Sequence, residues 1–230
     1  MALAITMGPL TMLAAQGTDN RPSIIMVYTD DMGYGDISSF SSALTVKTPN
    51  IDRLATEGRK LTNFYVASPI CSPSRAAVLS GMYAPRSRIM NYLQAREGNY
   101  NSAGNDYMDP NLAYLPRTFQ NAGYATAHIG KWHLGGGRDV DNAPSIAEYG
   151  YDEFYSTWES PNPDPKLGVK FSAWDRNTEP NQVPRHQRTE YMVNQTLDFM
   201  NRHPGKPCFI TLWADDLHTP FRPSPAMIAK

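Results

Sequence analysis

The chain has 230 residues, enough to bury a sizeable core as one large domain or two small ones. Hydrophobic residues make up 41% and charged residues 19%, which excludes wholesale disorder. A net charge of −1, with no block of like charges, gives no footing for nucleic acid or an anionic membrane as partner.

Residues 1–17, MALAITMGPLTMLAAQG, are apolar, small and too short to span a bilayer, with Pro9 midway. They fit the apolar part of an export signal with Ala15-Gln16-Gly17 as the cleavage site, although a basic start is missing. This predicts a periplasmic or secreted protein without membrane insertion. The two cysteines, Cys71 and Cys208, cannot build a disulfide framework, and no zinc-type spacing occurs.

Ser23 to Tyr28 is a continuous apolar run and predicts a strand buried on both faces. A helix follows from a Thr48 cap and Pro49 to Gly58, with Ile51, Leu54 and Ala55 on its apolar face. A second helix starts at Ser72-Pro73-Ser74 and stops at Gly81; a third runs from about Asn111 to Asn121. Tyr124–Ile129 is a predicted strand, residues 135–187 are long loops across the mouth of the sheet, and Arg188–Arg202 is a helix. Cys208–Ala214 is a further strand in which Cys208 is a buried structural thiol. Ser224 and Pro225 open a last short helix. Strands alternating with helices predict an α/β fold with a largely parallel central sheet flanked by helices.

Polar clusters follow three of these strands: Asp30-Asp31, Gly130-Lys131-Trp132-His133, and Asp215-Asp216-Leu217-His218. In open α/β sheets ligands bind beyond the carboxyl ends of the strands. Three strands delivering acids, a lysine and two histidines to one rim describe an assembled site, where any one cluster alone means little. Gly33 and Gly35 turn the chain after Asp30 and Asp31, so that both carboxylates reach one ion. Oxygen donors favour Ca²⁺ or Mg²⁺ over zinc; taken alone, the pair equally suits acids capping a turn. Lys131 and His133, two apart on an extended segment, share a face and suit one anion. His128, His186 and His203 have no comparable setting and are structural. Cys71 precedes a helix N-terminus, a natural anion seat, with Arg75 one turn in. A cysteine phosphatase loop needs five residues between Cys and Arg; only three stand here.

Cys71-Ser72-Pro73-Ser74-Arg75 with Ser80-Gly81 resembles the signature of the type I sulfatases of the alkaline phosphatase superfamily. Val27 to Asp36, Thr48 to Ala55, Gly123 to Thr126, Gly130 to Gly135 and His218 to Phe221 resemble further segments of that family, in order and at similar spacing. The resemblance implies an alkaline phosphatase-like fold and a sulfuric ester hydrolase acting on a sulfated small molecule or glycan. It implies that a maturation enzyme oxidises Cys71 to formylglycine, whose hydrate attacks sulfur with one hydroxyl and expels sulfate with the help of the other. Asp30, Asp31 and residue 71 would bind the cation, Ca²⁺ ahead of Mg²⁺. Arg75 would hold the hydrate and support the metal site. Lys131 would neutralise the sulfate oxygens, His133 would take the second hydroxyl's proton, and His218 would bind the bridging oxygen and act as general acid.

The family completes its metal shell with a later Asp-Asn-type pair and adds a second lysine, and Asp215 and Asp216 do not fit that place. Residues 18–230 are therefore expected to be the N-terminal part of a catalytic domain, truncated before its C-terminal domain. A phosphodiesterase or phosphonate monoester hydrolase of the same superfamily, or a non-catalytic remnant, are the alternatives. Arg96 and the Trp158–Trp174 segment are candidates for a sugar subsite.

Overall fold

The computed structural model describes residues 19–41, 43, 46–170 and 182–229. The expected leader and Trp174 lie outside the described residues. The framework is a parallel sheet of β1 (Ile24–Val27), β2 (Ala125–Gly130), β3 (Glu153–Ser156) and β4 (Cys208–Trp213), in spatial order β1-β4-β2-β3. Ile24 pairs with Phe209, Ala125 with Cys208 and Ala127 with Glu153, all in parallel register.

Side chains alternate across a strand, and the two central strands use both sides. Ala125, Ala127, Ile129, Cys208, Ile210 and Leu212 face a cluster with Met192 and Phe199 of the Arg188–Asn201 helix. Phe209 and Trp213 face the other way, into a cluster with Ala76, Leu79, Tyr124 and Trp132. That layer contains the helices Cys71–Ser80 and Leu115–Asn121. Helices on both faces of a parallel sheet put all four carboxyl ends on one rim. Cys208 is buried in this core, as expected of a structural thiol.

The structure corrects four details. The apolar run at Ser23–Tyr28 forms β1, but Ile25 is 42% and Val27 62% exposed. Among the described residues this strand is an edge, and an apolar run by itself does not report what covers it. Residues 135–187 are not all loop: Glu153–Ser156 pairs with β2 as a four-residue edge strand, too short to signal itself by alternation. The third helix begins at Leu115, with extended Tyr114 at its cap position and Pro116 in its first turn, where the missing N–H costs no helical bond. Thr48 occupies the cap position of the Pro49–Glu57 helix without a capping bond; its hydroxyl instead donates to Asp52 Oδ1 at 3.1 Å.

Candidate active site

Cys71 is the first residue of its helix rather than a residue preceding it, with extended Ile70 at the cap position and left-handed Gly81 ending the helix. The helix is pinned where it enters the site. Ser72 Oγ accepts from Leu93 N at 3.0 Å, and the hydroxyls of Ser74 and Tyr28 are hydrogen-bonded. Arg75, four residues after Cys71, is fully buried. Its Nη1 donates to the Lys131 carbonyl at 2.9 Å, its Nη2 lies 3.3 Å from Asp30 Oδ1, and its guanidinium sits over the Trp213 ring at 5.0 Å.

Asp30 follows β1 and turns inward. Lys131 Nζ donates to its Oδ2 at 2.8 Å, so one carboxylate receives two buried cations. Burial raises the Asp30 carboxyl, but Arg75 and Lys131 together outweigh it and hold it below its ordinary value. Asp31 is exposed, at a left-handed φ of 62° that a non-glycine residue adopts uncommonly.

Lys131 and His133 meet, but not by sharing a face of an extended segment. His133 has φ 51°, and that kink swings its ring under Cys71. His133 Nδ1 lies 3.3 Å from Cys71 Sγ, while Nε2 is 3.0 Å from the Leu93 carbonyl. A carbonyl only accepts, so Nε2 carries the proton and Nδ1 presents its lone pair to residue 71. Burial, then Lys131, hold the ring well below its ordinary pKa, so it is a neutral imidazole.

Glu159, three residues past β3, was missed by the sequence reading because β3 itself was missed. Its Oε2 lies 3.3 Å from His133 Nδ1 and 4.0 Å from Lys131 Nζ, and its Oε1 accepts from Arg138 at 3.2 Å. The 3.3 Å approach to His133 has ion-pair geometry, yet burial pushes the Glu159 carboxyl up and the imidazole down. With the ring held neutral, the contact is a close approach of Glu159 to His133 and not a salt bridge.

His218 reaches the same place from the loop after β4. Its Nδ1 lies 2.6 Å from the Thr219 carbonyl and donates a proton to it. Arg185 anchors that loop, donating from Nη2 to the carbonyls of Asp215 at 2.6 Å and His218 at 3.0 Å. Asp215 is no cation ligand here: both Arg185 and Arg188 pair with its carboxylate.

Cys71, Lys131, His133, His218 and Asp31 all border one cavity of about 360 Å³, with Arg138 and Glu159 in its wall. A neighbouring cavity of about 420 Å³ shares Cys71 and Asp31 and is bordered by Asp30 and Arg75. The larger cavity around Arg96, about 790 Å³, holds none of these residues. There Arg96 is engaged by Asp106, Asp139, Asp141 and Asn142.

The hard-cation expectation finds donors of the right chemistry at residue 71's side, two aspartates on adjacent positions. Among the described residues no group of three or more His, Cys, Asp or Glu side chains is gathered to hold a metal. A calcium shell takes about six to eight oxygens, so these residues fit such an ion in kind and supply part of its shell. The thiol of Cys71 is raised by burial, which outweighs Lys131 and Arg75 nearby. A nucleophilic cysteine needs the opposite shift, because the thiolate is the reactive form.

A parallel α/β sheet with a cysteine, a lysine and two histidines gathered at its carboxyl rim is an alkaline phosphatase-like architecture with a polar pocket. The chain belongs to the sulfatase family, matching the Sulfatase domain over residues 22–230. Human N-acetylgalactosamine-6-sulfatase is 30% identical over 243 residues, covering 90% of this chain and 42% of that protein. Mouse steryl-sulfatase is 41% identical over 138 residues, covering 58% of this chain and 21% of that protein. A solved Bacteroides thetaiotaomicron sulfatase structure from work on glycosaminoglycan metabolism superposes with a TM-score of 0.70 at 24% identity, over 90% of this chain and 54% of its own. The chain thus spans less than half the length of these two curated relatives.

Proposed function

We propose that this chain carries the nucleophile side of a sulfuric ester hydrolase, with residue 71 working as formylglycine after oxidation by a separate maturation enzyme. The observation that carries the reading is the His133 lone pair aimed at residue 71 from 3.3 Å, its tautomer held by Leu93. A hydrated aldehyde at that position supplies one hydroxyl to attack sulfur and a second to expel sulfate. His133 Nδ1 is placed to take a proton from residue 71, and Lys131 to neutralise the sulfate oxygens. His218 donates Nδ1–H to the Thr219 carbonyl, and as the imidazolium it carries a second proton on Nε2, which it gives to the leaving alcohol as general acid. Arg75 braces the Lys131 backbone and the Asp30 carboxylate. Asp30, Asp31 and residue 71 would hold a divalent cation, Ca²⁺ ahead of Mg²⁺, whose charge would polarise the hydrate and the sulfate.

The substrate class we assign is a sulfated carbohydrate, in keeping with the relative named for N-acetylgalactosamine-6-sulfate. The apolar start of the chain supports export to the periplasm or beyond. No helix among the described residues is long and apolar enough to cross a membrane.

The test is co-expression of the complete protein with a formylglycine-generating enzyme, peptide mass spectrometry across residue 71, and turnover of para-nitrophenyl sulfate. The expected result is an aldehyde at position 71 and turnover that Cys71→Ala abolishes and His133→Ala lowers by about 10² to 10⁴. Unmodified Cys71 under those conditions, or preference for an aryl phosphodiester over the aryl sulfate, overturns the reading.

A further inference from the structure

The wall of the cavity beside residue 71 includes a cation that the chemistry above does not use. This is Arg138, directly after Gly135-Gly136-Gly137, whose φ angles are 140°, 83° and 77°. A Cβ on Gly136 would come within 2.3 Å of Pro161 N, and one on Gly135 within 2.4 Å of Tyr107 Cβ. The loop therefore lies against the 158–161 segment at a closeness only glycine permits. Arg138 itself is left-handed, at φ 55°. This backbone lays its guanidinium over the Trp158 ring, 5.0 Å from the centroid, with Nη2 3.2 Å from Glu159 Oε1.

That guanidinium is held but not saturated. Among the described residues the bond to Glu159 is its only hydrogen bond, and a guanidinium has five donors. Glu159 is shared with Lys131, so it does not neutralise Arg138 alone. The Arg138 side chain is 37% exposed and faces the cavity that contains residue 71. Lys131 already provides a cation for the scissile sulfate. A planar fork fixed by stacking and a buried carboxylate suits a second, separate oxyanion, which it can grip with two parallel bonds. Tyr92, exposed on the same cavity, offers aromatic surface to the carbon side of a sugar.

We infer that Arg138 is a specificity-determining residue that recognises a second acidic group, a carboxylate or a second sulfate, on the saccharide whose sulfate ester sits at residue 71. The inference rests on the sulfatase reading of this cavity. The preferred substrate is then a dianionic saccharide, and a neutral alcohol sulfate would be handled without the Arg138 contact.

The experiment compares three esters with the complete protein, matured by a formylglycine-generating enzyme: para-nitrophenyl sulfate, a monosulfated disaccharide carrying a uronate, and a disulfated disaccharide without one. The wild type should prefer one or both saccharides. Arg138→Met should lower kcat/KM for the preferred saccharide at least tenfold more than for the aryl sulfate, chiefly through KM. Arg138→Lys, which keeps charge and loses the fork, should recover part of the loss. Which saccharide is lost tells carboxylate from sulfate. Equal losses on all three esters, a loss confined to kcat, or no saccharide preference in the wild type overturns the inference. Failure to hydrolyse any sulfate ester, aryl sulfate included, overturns the sulfatase reading instead.

Discussion

Lys131 Nζ bonds Asp30 Oδ2 at 2.8 Å across 101 residues of sequence, with both side chains buried. The pair ties the carboxyl end of β2 to that of β1 although β4 lies between them. Removing one partner of a buried pair strands the other, at about 3–5 kcal/mol; Arg75 remains on Asp30 and softens this. Lys131→Met should therefore cost about 2–4 kcal/mol in urea unfolding. Combined with Asp30→Asn, the loss should fall well short of the sum of the single losses. Strict additivity of the two would show that the pair is not coupled.

Gly130, immediately before that lysine, has φ 112°, and a Cβ there would lie 2.0 Å from the Trp213 carbonyl oxygen. The obstacle is the backbone of the neighbouring strand, which cannot step aside without breaking the Lys131 N to Trp213 O bond of 2.8 Å. Gly130→Ala should destabilise the fold by more than about 3 kcal/mol, beyond the usual range for single substitutions. A variant that folds with a thermal midpoint within about 2 °C of the wild type would contradict the packing described here.

Arg185 carries the His218 loop by gripping the carbonyls of Asp215 and His218 while pairing with the Asp215 carboxylate. Arg185→Met takes from Asp215 one of the two arginines that pair with it and releases the loop, so stability should fall by about 3 kcal/mol. Under the proposed mechanism, turnover of an ester with a poor leaving alcohol should fall further than that of para-nitrophenyl sulfate, which needs little help from a general acid. Arg185→Lys should restore stability more than turnover, because a single ammonium cannot hold two carbonyls and a carboxylate. Equal effects on both esters would reduce Arg185 to a structural role.

The rim of the site was legible because its residues follow apolar runs directly. Asp30, Lys131 and His218 come just after β1, β2 and β4, and parallel strands bring such positions together whatever the loops do. Cys71 and Arg75 were legible from helical spacing. Glu159 and Arg138 were not. The first follows an edge strand of four residues whose Glu-Phe-Tyr-Ser sequence does not alternate, and the second owes its place to three glycines whose close approach has no periodic signature. The backbone twist at His133 was equally hidden: it sets the ring's direction, and neither residue type nor spacing encodes a positive φ for a histidine.

His128 supplies a separable part of the pH dependence of the fold. It lies wholly inside the core, against Trp132, Tyr151 and Trp213, with Nδ1 2.9 Å from Thr211 Oγ1. Burial, aided by the Arg75 charge, lowers its pKa from an ordinary 6.5 to about 3. The unfolded chain thus takes up a proton below about pH 6.5 that the folded chain refuses until about pH 3. Stability from this residue is complete above the upper value and declines as pH falls through the window, by up to about 1.4 kcal/mol per pH unit. Between pH 7 and pH 5 the loss from this residue should be about 2 kcal/mol. Replacing His128 with Gln keeps a polar partner for Thr211 and removes the titration. His128→Gln should be less stable at pH 7 but lose about 2 kcal/mol less than the wild type on going to pH 5. Other groups titrate alike in both proteins and cancel in the difference. Parallel stability curves for the two across that range would mean that His128 charges as readily inside the fold as outside it.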